Sequence, residues 1–371
     1  MRLAIDIGGT FTDIVLENQN NLITKKVLTS IANPEVAVIE GVSELLDENN
    51  ITSSEIKMII HGTTLATNAV IERKGAKTCF ITTEGFRDVL DIGYESRFDQ
   101  YDILIEKTMS LVPRKHRFVI KERTDVNGSI LKPINTETFS NLVQKIKEEG
   151  FKSVGIGFLH SYANSKNENI LRNYLLENLP GVEVSISSDV CPEIREYERF
   201  TTTVVNAYIK PLMANYLKKL DNELKIKGFD CPLLLMTSGG TLTNIESACN
   251  NPVRLVESGP AGGAILATSI ADDLNLNKVI SFDMGGTTAK ITIIENKKAI
   301  KAREFEVDRK ARFKKGSGLP LRIPVIEMVE IGAGGGSIAR VNKLEQIITG
   351  PDFPTGALIM GRKGISDFRN C

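Results

Sequence analysis

Apolar and polar residues alternate over residues 2–16 (RLAIDIGGTFTDIVL), and the same pattern returns over 279–294 (VISFDMGGTTAKITII). In each copy a short apolar strand ends in Asp, a Gly-Gly-Thr turn follows and a β-branched strand returns, which predicts a β-hairpin. Two copies separated by most of the chain imply paired lobes and not a solenoid, whose units recur every ~20–50 residues.

Between the copies strand and helix patterns alternate. Asn33-Pro34 opens a helix carrying Val36, Ile39, Val42, Leu45 and Leu46, and Ile56 to Ile60 reads as a buried strand. Thr63 to Lys74 is expected to be helical with Gly75 as its stop, followed by a strand at 77–82 and a short helix at 84–91. Residues 93–134 break this rhythm with charge and turn signals such as Asn127-Gly128, and read as an inserted subdomain. The order resumes with a helix at 136–149 ended by Gly150, a strand at 152–159, a helix at 167–178 and a strand at 182–187. A helical stretch over 197–226 follows, with a kink or break expected at Pro211. The predicted fold class is α/β. Its expected parts are a first lobe over 1–195 with the insert 93–134, a helical connection over 196–230, a second lobe over 231–352 and an atypical tail over 353–371.

A length of 371 residues favours two or three lobes over a single core. Lys plus Arg and Asp plus Glu both number 46, so no net positive field gathers nucleic acid or anionic membrane, and a small molecule or another subunit is the better partner. Cys79, Cys191, Cys231, Cys249 and Cys371 make neither a Cys-x-x-Cys pair nor an even framework, and reduced thiols in a cytoplasm are expected. Asp6 interrupts any signal-peptide core, and no stretch approaches the ~18 apolar residues of a membrane span.

The chemistry gathers at glycines. A Gly-Gly turn lets backbone N–H groups converge on phosphate without Cβ interference, so Gly8, Gly9 and Thr10 offer one anion nest and Gly285, Gly286 and Thr287 another. The hydroxyls of Thr10, Thr12, Thr287 and Thr288 can add donors, and Asp6 and Asp283 can hold Mg²⁺ or orient an attacking oxygen. One copy alone fits a tight turn equally well, whereas repetition of the whole Asp-x-Gly-Gly-Thr string points to phosphate.

Gly334, Gly335 and Gly336 lie in a bend that would let a base and ribose approach backbone, or simply turn the chain; the spacing is not that of a dinucleotide fingerprint. The ESGPAGG string at 257–263 suits an anion at a helix start or close helix packing. His61 is expected where a strand meets a helix, as a proton-transfer group or a satisfied structural residue, with Thr63, Thr64 and Asn68 as substrate hydrogen-bonding candidates. No Walker loop or zinc signature occurs.

The paired turns resemble the acetate/sugar kinase, heat-shock 70 and actin superfamily. The strings DIGGTFTD at 6–13, HGTTLATNAVIERKGAKT at 61–78, ITTEGFRDVLDIG at 81–93, ESGPAGG, SFDMGGTTAK at 281–290 and EIGAGGGSIA at 330–339 resemble, in order, the hydantoinase A/oxoprolinase family. The resemblance implies two ribonuclease-H-like lobes that hold ATP and Mg²⁺, with Asp6 and Asp283 beside the metal. It implies ATP-dependent opening of a cyclic amide or imide, such as 5-oxoproline or a hydantoin, alongside a hydantoinase B-like subunit in a hetero-oligomer. Acetone- or acetophenone-type carboxylase subunits and a non-catalytic nucleotide-binding module are the alternatives. After Gly350-Pro351-Asp352 the family continues with a Pro-Gly-rich stretch that Phe353 to Cys371 does not match, so a shortened, less complete nucleotide site is expected.

Overall fold

The computed structural model describes residues 1–349 apart from 20, 31, 32, 96, 286–288, 312, 313, 332, 333, 335, 336 and 343. It is mixed α/β and divides into two compact units, one of residues 1–262 with 301–326, the other of 263–300 with the described residues from 327 onward.

In the first unit, β1 (Arg2–Ile7), β2 (Phe11–Asn18) and β3 (Asn21–Leu28) form an antiparallel meander. Its alternation buries Leu3, Ile5, Ile7, Ile14 and Leu16 on one face, as the two-residue repeat of a strand requires. Over this face lies α1 (Pro34–Glu48), which has proline in its first turn and buries Val38, Val42, Leu45 and Leu46 along one side. Gly41 permits the close approach, because a Cβ there would stand 2.6 Å from Ile14 Cδ1. Next, β4 (Met58–Thr63) pairs parallel with β1 and runs directly into α2 (Leu65–Ile71).

The chain continues through β5 (Thr78–Thr83), α3 (Val89–Ile92), β6 (Arg117–Ile120), β7 (Arg123–Thr124), β8 (Ile130–Lys132), α4 (Phe139–Glu148), β9 (Ser153–Gly157), α5 (Lys166–Asn178), β10 (Glu183–Ile186) and α6 (Ser187–Val190). Four of these strands make a parallel sheet in the order β10-β9-β5-β6. The expected insert is therefore smaller than 93–134, because β6 uses the open edge of β5; β7 and β8 form a separate hairpin around Gly128, whose φ is +84°.

Both sheets rest on α7 (Glu196–Ile226), which buries Phe200 and Val204 beside Phe80 of β5, and Val205, Ile209, Met213 and Leu217 in the core under β1. Pro211 lies inside this one helix and does not end it. It has no N–H for the helical ladder, and nearby the Tyr208 carbonyl accepts the Ala76 N–H at 2.8 Å. Gly75 fits there for want of a side chain, since a Cβ would stand 2.3 Å from the Tyr208 ring.

After α7 come β11 (Leu233–Met236), β12 (Leu242–Asn244) and α8 (Ile245–Asn250), and the first sheet reads β12-β11-β4-β1-β2-β3. This corrects the boundary expected at 231. The apolar run of β11 finds its hydrogen bonds along β4, so it completes the first unit and does not start another.

Then α9 (Ser258–Asp273) leads to β13 (Lys278–Met284) and β14 (Ala289–Glu295) of the second unit, which pair antiparallel. Residues 298–299 and 329–331 pair along the other edge of β14. The internal similarity extends to register: Asp6 faces Asp13 and Asp283 faces Lys290, each seven positions on.

Candidate functional site

In the first unit, Asp6 is exposed at the end of β1, just before the Gly8-Gly9-Thr10 turn. The turn is closed by the Gly8 N–H donating to Phe11 O at 2.9 Å, and Thr29 braces it by donating its N–H to Thr10 O and its hydroxyl to Gly8 O. Gly9 is exposed, with no atom within 4 Å of where a Cβ would stand, so one wall of the turn is bare backbone.

One further glycine makes room for Asp6, and another lies beside it at ordinary contact distance. A Cβ at Gly62 would stand 2.7 Å from Asp6 Oδ1, and one at Gly259 would stand 3.8 Å away. Gly62 is opposite Asp6 in the parallel β1–β4 register, and Gly259 is in the first turn of α9, where backbone N–H groups favour a carboxylate. The helix start is fastened to β4 and α2: Glu257, at φ 62°, donates its N–H to Thr67 Oγ1 at 2.9 Å, and Ser258 donates its hydroxyl to Thr63 O at 3.3 Å. HGTT and ESGPAGG thus meet around the Asp6 carboxylate. Sequence reading found both strings but not the role of Gly62 or Gly259, and nothing local marked Thr29.

Two expectations are corrected here. Thr12 is fully buried, its Oγ1 3.0 Å from that of Thr29, so it braces the hairpin and does not reach a phosphate. His61 is also fully buried, not ligand-facing. Its Nδ1 donates to Ile5 O at 3.2 Å, which makes Nε2 the acceptor for the Tyr216 hydroxyl at 2.8 Å. Burial holds its pKa down to about 4, so at neutral pH it is an uncharged structural group with both nitrogens engaged.

The other first-unit candidates divide. Thr63 is buried, and its Oγ1 accepts the Leu65 N–H at 3.2 Å. Thr64 is half-buried and ties α2 to β1, both its N–H and its hydroxyl donating to Ile7 O at 3.1 Å. Asn68, also half-buried, donates to Thr64 Oγ1 at 3.4 Å. Thr10 is exposed on the turn.

In the second unit, Asp283 is exposed near the end of β13, and a Cβ at Gly263 would stand 3.6 Å from its Oδ2. Gly285 is exposed, whereas Gly286, Thr287 and Thr288 lie outside the described residues. Gly334 and Ser337 close a turn on each other, by a 3.0 Å bond from the Gly334 N–H to Ser337 Oγ and a 2.8 Å bond from the Ser337 N–H to Gly334 O. Gly335 and Gly336 also lie outside the described residues. Among the described residues no group of three His, Cys, Asp or Glu gathers to hold a metal, and no helix is long and apolar enough to cross a membrane.

The hydantoinase/oxoprolinase N-terminal region matches residues 2–179, and the hydantoinase/oxoprolinase domain matches 199–357. The chain belongs to the hydantoinase/oxoprolinase family. It is 41% identical to the uncharacterized protein MJ0964 of Methanocaldococcus jannaschii, covering 94% of this chain and 52% of that protein. It is 31% identical to the caprolactamase subunit alpha of Pseudomonas jessenii, over 94% of this chain and 50% of that one. The 5-oxoprolinase 1 of Arabidopsis thaliana is 29% identical over 91% of this chain and 28% of its own length. The fold matches the ATP-dependent caprolactamase structure from Pseudomonas jessenii with a TM-score of 0.80 at 30% identity, and a nucleotide-free acetone carboxylase with 0.78 at 25%. Each match covers 95% of this chain and 50% of the other, and the fold shared is actin-like. The chain spans about half the length of the first two relatives.

Proposed function

We propose that this chain is the nucleotide-binding A-type part of an ATP-dependent enzyme that opens a cyclic amide or imide of the 5-oxoproline, hydantoin or lactam class. The observation that carries the reading is the Asp6 carboxylate, exposed beside a turn whose Gly9 is bare and given its place by the missing side chain of Gly62. Relatives named 5-oxoprolinase and caprolactamase supply the substrate class.

Phosphate and Mg²⁺ fit the donors of the first turn. Backbone N–H groups at Gly9 and Thr10 suit an anion, and the hard oxygens of Asp6 suit Mg²⁺, which takes one or two carboxylates and fills its remaining positions with phosphate and water. Asp283 would hold the corresponding place in the second unit. ATP, when bound, would supply the phosphoryl group that makes a poorly electrophilic amide carbonyl reactive. Asp6 orients, the glycine turn approaches closely, and Thr12 and Thr29 keep the turn rigid underneath. Ring opening is then completed with a hydantoinase B-like subunit.

The likeness to acetone carboxylase favours one second reading, a carboxylase subunit activating a ketone oxygen. The deciding experiment measures ATP turnover with 5-oxoproline, hydantoin, caprolactam and acetone, with and without bicarbonate and a B-like subunit. Stimulation by a cyclic amide without bicarbonate supports the proposal. Bicarbonate-dependent stimulation by acetone alone favours the carboxylase, and turnover indifferent to every substrate would leave a nucleotide-binding regulator.

A further inference from the structure

Among the described residues, five buried side-chain atoms have no hydrogen-bond partner: Thr82 Oγ1, Glu198 Oε2, Arg199 Nε, Thr201 Oγ1 and Arg322 Nε. Each such atom is costly, and folded proteins keep few of them. These are not scattered through the first unit. Glu198, Arg199 and Thr201 share the first two turns of α7, and Arg322 donates its backbone N–H to Thr202 Oγ1 at 2.9 Å. Thr82 lies under the same turns: it is opposite Gly157 in the β5–β9 register, and a Cβ at Gly157 would stand 2.5 Å from the Phe200 ring.

The two arginines hold the helix start with their other nitrogens. Arg199 donates to Glu193 O at 3.0 Å and Phe158 O at 2.9 Å, and Arg322 donates to Ile194 O at 2.9 Å. Thr201 differs from its neighbours. Thr202 and Thr203 donate their hydroxyls back to Glu198 O and Arg199 O, both at 2.7 Å, whereas Thr201 Oγ1 makes no such bond. Glu198 is 3% exposed, and the Tyr94 hydroxyl donates to its Oε1, which leaves Oε2 as a buried acceptor. Three residues apart on a helix, Glu198 and Thr201 are neighbours, with about 5–6 Å between Cβ atoms. The Tyr94 and Tyr197 rings meet edge to face, 5.4 Å apart at 85°. The helix begins at Arg195, a non-glycine residue with φ 78°, a strained conformation of the kind that gathers at ligand sites.

A small ring holds its amide cis, so an N–H donor and a C=O acceptor emerge side by side. A buried carboxylate oxygen beside a hydroxyl is the complement of that edge. We propose that the substrate ring is recognised here, with Glu198 Oε2 accepting the ring N–H and the Thr201 hydroxyl donating to the adjacent ring carbonyl. Tyr94 fixes the carboxylate, and the tyrosine pair flanks the ring. This assignment rests on the cyclic-amide reading of the function. It also lies toward the end of the unit that carries Asp6. Four residues beyond Arg322, the Ile326 N–H donates to Ser238 O at 2.9 Å, just past the carboxyl end of β11, which is parallel to β4 as β4 is to β1.

The test is calorimetry on the full chain with Mg²⁺ and a non-hydrolysable ATP analogue present. Caprolactam, 5-oxoproline and hydantoin are the probes, each beside its fully N-methylated form, which lacks the ring N–H. At least one ring is expected to bind one to one, and to bind at least about tenfold more tightly than its N-methylated form, as a hydrogen bond to a charged acceptor implies. Glu198→Gln, which keeps the shape and an oxygen for Tyr94, should erase that preference. Thr201→Val should weaken ring binding without lowering the denaturation midpoint, because the hydroxyl it removes has no partner in the protein. A wild type indifferent to N-methylation, a preference that survives in Glu198→Gln, or unchanged ring affinity in Thr201→Val would overturn the proposal. So would a wild type that binds the nucleotide analogue and none of the rings, which would leave these atoms to ordered water. Failure to bind the nucleotide analogue would instead overturn the reading of the function, and this inference with it.

Discussion

The Tyr216 hydroxyl donates to His61 Nε2 at 2.8 Å, joining α7 to β4 by a hydrogen bond wholly inside the core. Because the Ile5 carbonyl takes the Nδ1 proton, protonating Nε2 would set a donor against a donor in a dry place. Acid stability follows. The unfolded histidine takes up its proton near pH 6.5, the folded one only near about 4, so the unfolded state binds more protons between these values. The neutral ring leaves stability intact above pH 6.5; stability then falls as pH falls toward 4, by roughly 3 kcal/mol in all. Urea unfolding at pH 7 and pH 5 should show this loss in wild type and a smaller one in His61→Gln. Equal losses in the two proteins would remove His61 as the cause.

Removing only the Tyr216 hydroxyl tests the pair at neutral pH. Tyr216→Phe should lower stability by about 1–3 kcal/mol, because buried Nε2 loses its donor, while nucleotide affinity changes little. A large loss of affinity at unchanged stability would return His61 to the ligand site.

Gly62→Ala places a methyl group 2.7 Å from Asp6 Oδ1, closer than real Cβ contacts allow. The carboxylate must move, so Mg²⁺-dependent nucleotide binding should weaken by about tenfold or more, comparable to disturbing the support of a metal ligand. Asp6→Asn should weaken it at least as much. Calorimetry showing wild-type affinity in both folded variants would detach Asp6 from the nucleotide.

Gly9 is the opposite case, since nothing lies near its absent Cβ. Gly9→Val should fold with an unfolding temperature close to wild type and bind nucleotide at least about tenfold more weakly, because a branched side chain occupies the approach of an anion to backbone N–H groups. Unchanged affinity would argue that the turn is structural only.

Thr12→Val separates bracing from binding. Losing the bond to Thr29 should cost about 1 kcal/mol of stability, read from denaturant midpoints, with ATP turnover near wild type once the protein is folded. A hundredfold fall in turnover at full stability would restore Thr12 to the phosphate site.

Strand parity makes much of this legible for polar as well as apolar residues. Thr12 shares its face with Ile14 and Leu16, and His61 shares its face with Ile59, so both lie on buried sides whatever their chemistry, while Asp6 falls with Arg2 and Ala4 on the exposed side. The helix at 34–48 was plain because its apolar positions repeat through four turns behind an N-terminal proline. The places of β6 and β11 were not legible. Four-residue strands carry too little periodicity to name a partner, and β11 joins β4 across more than 160 residues of intervening chain. The gathering of Gly62 and Gly259 around Asp6 depends on that same long-range pairing and on the helix start at 258.

The fit of Gly75 and Ala76 against Tyr208, near the proline of α7, bears on how the chain can be altered. A short connection between a helix and a strand would ordinarily be a place where a tag, a reporter or new chain termini are accepted. Here added residues would withdraw the Ala76 N–H from the Tyr208 carbonyl and push a side chain into the tyrosine ring, loosening the helix on which both sheets rest. The hairpin tip at Asn127-Gly128 bears instead on residues 163–164, where the Asn164 amide donates to Gly128 O at 2.8 Å, so opening the chain there would loosen that contact and leave the Ala76–Tyr208 bond in place.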